Sequence, residues 1–106
     1  MVNNAGISGS SVGDPDRLEG WDRIIAVNQT SVFLGTKLAA VPMAKTGGRS
    51  IVNISSIMGF VGSVSGHPAY HAPKGAVRIY SKSGSSAVRP VRGQGQHVHP
   101  GTWRRC

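Results

Sequence analysis

The 106 residues carry 12 Lys and Arg against 4 Asp and Glu, a formal net charge of +8, and a chain this short builds a core only if most of its segments pack. No run approaches the roughly 20 apolar residues of a membrane span, and the start "MVNNAGIS" lacks the basic and apolar regions of a signal peptide. The acids Asp14, Asp16, Glu19 and Asp22 offset nearby bases, while Arg89, Arg92, Arg104 and Arg105 carry half of the surplus, which reads as a solvated basic tail rather than a nucleic-acid surface.

In chain order, "MVNN" reads as the end of a buried strand and "AGISGSSVGDP" as a glycine- and serine-rich loop. Asp14 and Asp16 offer acceptors to the first amides of a helix, and Ile24, Ile25, Val27, Val32, Phe33, Leu34 and Leu38 recur at helical spacing up to Pro42, which predicts one long amphipathic helix over about residues 21–41. "KTGGR" ends it. "SIVNI", short, β-branched and apolar on both faces, predicts an interior parallel strand, and "SSIMGFVGSVSGHP" a loop. A second helix is expected from about Ala69 to Lys82, with Ala76, Val77 and Tyr80 inward. Residues 83–106 then lose any sustained period, in the manner of a disordered basic linker. The order strand, helix, strand, helix, tail is half of a doubly wound α/β sheet.

The chemistry concentrates in "AYHAPKGAV". Tyr70 and Lys74 are i, i+4, so on a continuous helix one lies above the other. An ammonium beside a phenol favours the phenolate, which suits a general acid/base, although on an arbitrary helix such a pair is often only a solvated surface contact. Ser55 and Ser56 directly follow the strand "IVNI", so at least one hydroxyl should emerge at the carboxyl end, where open α/β sheets place their ligands; the alternative is a turn cap. Asn28 interrupts an apolar stripe and needs a partner for its amide. "NNAG" can be turn chemistry alone. His67 and His71 flank Tyr70, where substrate or solvent could reach them, while His97 and His99 alternate as strand ligands would but lack the further carboxylate or thiolate of a metal site. The lone Cys106 excludes an internal disulfide and fits a reducing, cytoplasmic setting.

Together and in this order, "NNAG", the asparagine of "VNQTSVFLGTK", the serine of "IVNISS", "YHAPK" and "HPG" resemble the short-chain dehydrogenases/reductases. The resemblance implies a Rossmann-type sheet, NAD or NADP as cofactor, and hydride transfer between a small-molecule alcohol and a ketone or aldehyde. It implies Tyr70 as the acid/base that protonates the carbonyl oxygen, Lys74 as the group that tunes it and holds the nicotinamide ribose, Ser56 rather than Ser55 as the hydrogen-bond donor to the substrate oxygen, and Asn28 as the holder of a relay water. It places Asn4, Ala5, Gly6, Tyr70, Lys74, Pro100 and Gly101 along the cofactor cleft. It also implies a homo-oligomer joined through the helices at about 21–41 and 69–82, so that a non-catalytic association module is the alternative function.

Three departures qualify the match. The glycine-rich pyrophosphate turn, Gly-x-x-x-Gly-x-Gly, is not among these residues, so residues 1–82 are expected to be the central part of such a domain, weak or inactive alone. Pro73 stands where the family usually has serine: a helix starting at Tyr70 or Ala72 leaves Lys74 able to reach, whereas one starting at Pro68 should misdirect it. Finally, residues 83–106 keep the family's distance to "HPG" but not its residues, and compensating frame changes over about 83–97, extending to 102–106, are the expected cause, with a divergent disordered tail as the alternative.

Overall fold

The computed structural model describes residues 1–46, 50–87 and 97–98, without the side chains of 84–87 and 97–98. Three short strands, β1 (Val2–Asn3), β2 (Val52–Ile54) and β3 (His97–Val98), form a parallel sheet in that order. Val2 pairs with Val52, Asn3 with Asn53, Asn53 with His97 and Ile54 with Val98. β1 and β2 are where the sequence predicts strands, and their parallel pairing across a helical connection is the Rossmann-type plan.

The predicted long helix is continuous from Leu18 to Lys45 but not uniform. It comprises α1 (Leu18–Ile25), a π-helical stretch Ala26–Thr30, and α2 (Ser31–Lys45). Its start differs from expectation. Asp14 takes the amide of Asp16 at 3.0 Å and Asp16 pairs with His67, so the two acids, three residues and one residue ahead of the N-cap position Arg17, shape a turn instead of capping α1. Its end differs too, because Pro42 lies inside α2. By length and composition this 28-residue helix is long and apolar enough to cross a membrane, with a mean hydropathy of 1.3 over its most apolar window. The sequence has no uninterrupted apolar run of that length, and Asn, Gln and Thr lower the window average but leave it high enough to pass by composition. The inner face nevertheless packs on protein: Ile24, Asn28 and Val32, at i, i+4 and i+8, are all buried, and this helix meets β1 and the helix that begins at Pro68.

The second predicted helix, α3 (Pro68–Ala87), runs past the expected end at Lys82 to Ala87, and "HPG" is preceded by β3. Residues 88–96 and 99–106, with the rest of the expected tail, lie outside the described residues. The core is small: Ile24, Val32, Ala69, Pro73 and Val77.

One face of the sheet is tied to both helices by a polar chain. Asn3 donates to Thr36 of α2 at 3.3 Å and to Asn53 at 2.8 Å, and Asn53 donates to Ser81 of α3 at 2.9 Å. Since Asn3 and Asn53 are register partners, their side chains share a face, and α2 and α3 therefore lie on the same side of β1 and β2. Val2, which alternates to the other face, is 62% exposed.

Candidate active site

The carboxyl ends of β1 and β2 open into a cleft of about 360 Å³ lined by Asn4, Gly6, Ile7, Ser8, Ser11, Ile54, Ser55, Tyr70 and Lys74. Tyr70 emerges from the first turn of α3, and Lys74 follows one turn later with its Nζ 5.7 Å from the centre of the Tyr70 ring. The i, i+4 spacing therefore brings the two groups together as the sequence predicts.

Lys74 is buried, and its Nζ donates to the Ile54 carbonyl at 3.1 Å. Burial pushes its pKa below the ordinary lysine range, because desolvation disfavours the ammonium. The absence of a side chain at Gly6 makes room for it, since a Cβ there would stand 3.2 Å from Nζ and 3.6 Å from Asn28 Oδ1.

α3 begins at Pro68, the case in which Pro73 was expected to misdirect Lys74. That expectation fails. Pro73 deprives Ala69 of an amide donor, yet Lys74 is held by two contacts to the end of β2 that do not involve the proline. Ser55 Oγ donates to the Lys74 carbonyl at 2.6 Å, and Nζ reaches Ile54. Gly59 permits this approach, as a Cβ on it would lie 2.7 Å from the Lys74 carbonyl oxygen and 2.8 Å from Ser55 Oγ.

The two serines divide the work. Ser55 lines the cleft and anchors α3. Ser56 is half-buried, does not line the cleft, and caps the short 3₁₀ turn Ile57–Gly59, its Oγ accepting the Met58 amide at 3.2 Å. That arrangement leaves its O–H as a donor. Asn28 is fully buried with its amide on the backbone of Ile7: Oδ1 accepts the Ile7 N–H at 2.7 Å and Nδ2 donates to the Ile7 carbonyl at 2.8 Å. It sits in the π-helical stretch, a distortion frequent at functional sites. Its side chain thus holds the loop after β1 in place, rather than being wholly available to a water. Asn4 and Gly6 line the cleft, Ala5 is exposed beside them, and Pro100 and Gly101 lie outside the described residues.

Sequence reasoning did not find Ile7, Ser8, Ser11 and Ile54 in the cleft, nor Ser55 as the anchor of Lys74. Backbone partners such as Ile7 and Ile54 leave no residue-type signal. Ser8 and Ser11, inside "GISGSSVG", carried one that reads equally as a loop.

The cyclopentanol dehydrogenase of Comamonas sp. is 45% identical over 101 residues, which are 95% of this chain and 40% of that protein. The NADP-dependent (R)-specific alcohol dehydrogenase of Lentilactobacillus kefiri is 44% identical over 104 residues, 95% of this chain and 41% of that one. The crystal structure of a bulky-bulky ketone specific alcohol dehydrogenase from Comamonas testosteroni superposes with a TM-score of 0.80 at 30% identity, over 92% of this chain and 39% of that chain. The chain thus spans about two fifths of the length of the curated relatives it matches. A sequence model of the short chain dehydrogenase matches residues 1–104, across both the Tyr70–Lys74 pair and the segment beyond α3, and the chain belongs to that family.

Proposed function

We propose that this chain supplies the acid/base half of an NAD- or NADP-dependent oxidoreductase acting between a small-molecule alcohol and a ketone or aldehyde. The observation that carries the reading is Lys74: a buried cation held against the Tyr70 ring at the mouth of a parallel sheet, with Gly6 cleared of any side chain to receive it. A nicotinamide ribose fits such a cleft, because Lys74 offers ammonium hydrogens and Tyr70 a hydroxyl to its oxygens, with Asn4 and Gly6 also in the lining. When bound, the nicotinamide supplies or accepts the hydride.

The chain's own residues handle the proton. In the direction of reduction, the Tyr70 hydroxyl donates to the substrate oxygen as charge develops on it. Lys74 stabilises the phenolate left behind, and does so most when charged. Ser56 accepts the Met58 amide and lies outside the cleft lining, but its O–H remains a donor for a substrate oxygen that extends past Ser55. Asn28 acts as a positioning residue, fixing through Ile7 the loop that contributes Gly6, Ser8 and Ser11 to the cleft, and its remaining amide hydrogen is the one available to a relay water. Pro100 and Gly101 complete the cofactor-binding set in this reading. Alone, the 106 residues should turn over weakly or not at all.

The test is a chimera in which this chain replaces the matching 101 residues of the Comamonas cyclopentanol dehydrogenase. The chimera should oxidise cyclopentanol with NAD or NADP, and Tyr70→Phe should lower turnover by at least ~10²-fold. A chimera that folds and is equally active with phenylalanine there would defeat the assignment.

A second reading, a homo-oligomeric association module of the cytoplasm, is favoured by a separate observation. Leu34, Leu38 and Val41 form an exposed stripe on α2, and exposed Phe33 touches Tyr80 of α3 beside exposed Ile79. Monomers rarely leave such a face uncovered. Concentration-dependent size in sedimentation, abolished by Leu38→Lys, is the expected result; a monomer at all concentrations would remove this reading.

A further inference from the structure

The two histidines that flank Tyr70 are given no role in the proposed proton transfer, yet both rings are engaged on each side. The amide of Ala69 donates to His67 Nδ1 at 3.1 Å, and the opposite nitrogen, Nε2, lies 2.9 Å from Asp16 Oδ1. An amide can only donate and a carboxylate can only accept, so His67 is the neutral tautomer that carries its proton on Nε2. His71 is the reverse. The amide of Ser63 donates to its Nε2 at 3.2 Å, while its Nδ1 lies 2.9 Å from the His67 carbonyl oxygen. A carbonyl accepts, so His71 carries its proton on Nδ1. Each tautomer is thus set twice over, and each ring's single donor and single acceptor are both used.

These contacts reach two segments beside the start of α3, one of which lines the cleft. On one side, Asp16 belongs to the segment after β1 that also contributes Ser8 and Ser11 to the lining, and Gly9 packs so near His67 that a Cβ on it would lie 3.4 Å from the His67 Cβ. That segment is seated on α1, because Gly20 leaves no room for a side chain against the Asp14 carbonyl. On the other side, Ser63 lies in the loop joining the 3₁₀ turn to α3, and Gly66 is pressed against the His71 ring. Both segments are thereby anchored to the start of α3, from which Tyr70 projects.

We infer that His67 and His71 are positioning residues that clasp the segment after β1 and the loop before α3 to the start of α3, each as a neutral imidazole of fixed and opposite tautomer. Its bearing on turnover rests on Tyr70 as the acid/base, but the clasp itself is tested without any nucleotide or substrate, so the two readings fail separately.

The test is ¹⁵N imidazole NMR and amide hydrogen exchange on the 106-residue chain at neutral pH. His67 should show its proton on Nε2 and His71 on Nδ1. Asparagine places an oxygen near the Nδ1 position, so H67N should keep the Ala69 amide protected while exchange at Arg17, whose amide donates to Asp14, speeds up by about tenfold, the equivalent of one hydrogen bond. Glutamine places its oxygen near the Nε2 position, so H71Q should retain the slow exchange of the Ser63 amide that H71A loses by about tenfold. The Tyr70 ring resonances should move in H71A and return in H71Q, which a role confined to overall folding would not produce. Averaged tautomers in the parent chain, the opposite assignment at either ring, or alanine variants that leave Ala69 and Ser63 exchange unchanged would each overturn the proposal.

Discussion

Lys74 meets two opposed demands. Its hydrogen bond to Ile54 and its place by the Tyr70 ring favour a cation, whereas burial disfavours one and is the stronger influence on its pKa. The sign of the resulting pH dependence follows. Its folded pKa lies below the unfolded one, so between the two the unfolded chain binds more protons, and stability rises as pH increases through that window. Urea unfolding at neutral and at alkaline pH should show this rise, and Lys74→Met should remove it; a parent chain whose stability falls over the same window would contradict the burial argument. Turnover of the chimera, under the proposed mechanism, should run the other way, failing as the ammonium proposed to stabilise the phenolate is lost. Of the site, the Tyr70–Lys74 pair was legible because four residues on a helix is a local rule. The Asn28–Ile7 and Asp16–His67 contacts, 21 and 51 residues apart, obey no local period and were not. Ser56 was placed by resemblance, and only the structure assigns the anchoring of α3 to its neighbour Ser55.

At the level of elements, the long helix and α3 show how packing overrides local preference. The apolar spacing gave the long helix correctly, but not the π-helical stretch around Asn28, because widening one turn changes neither composition nor the average period. Asn28→Ala should cost about 2–4 kcal/mol, since the Ile7 N–H and carbonyl would both lose their partner in a partly buried setting. Pro73 presents the opposite case. Restoring an N–H to the interior of α3 would recover up to ~3 kcal/mol, while truncating a fully buried ring forfeits about 1–2 kcal/mol of burial. Pro73→Ala should therefore stabilise the chain by about 1 kcal/mol in urea unfolding, and leave the turnover of a complete chimera unchanged, because Lys74 is steered by Ser55 and Ile54. A gain in turnover would show that the proline does misdirect it. Gly59→Ala should do what the proline does not. The added Cβ meets the backbone of Lys74, so the 3₁₀ turn must move off α3, and turnover should fall at least ~10-fold.

Across the whole molecule, the strand and helix order marked a Rossmann-type fragment, and the two helices proved to lie on one face of the sheet with Val2 open on the other. The sequence pattern could not say which apolar residues would be covered. Phe33, Leu34 and Leu38 share the helical period of Ile24 and Val32, yet only the latter two are buried, because a helix apolar around most of its circumference has more surface than one neighbour can cover. The basic surplus is explained no further by the fold, since Arg89, Arg92, Arg104 and Arg105 lie outside the described residues. The central claim is that the cleft formed by Asn4, Gly6, Tyr70 and Lys74 grips the nicotinamide ribose. Amide shifts during titration with reduced nicotinamide mononucleotide test it most directly, because these residues contain no pyrophosphate turn to hold the rest of a dinucleotide. Saturable shifts at Gly6, Tyr70 and Lys74, of an affinity within about tenfold of that for NADH or NADPH and lost in Lys74→Met, are expected. No saturation at those residues, or an affinity that Lys74→Met leaves intact, would contradict the account.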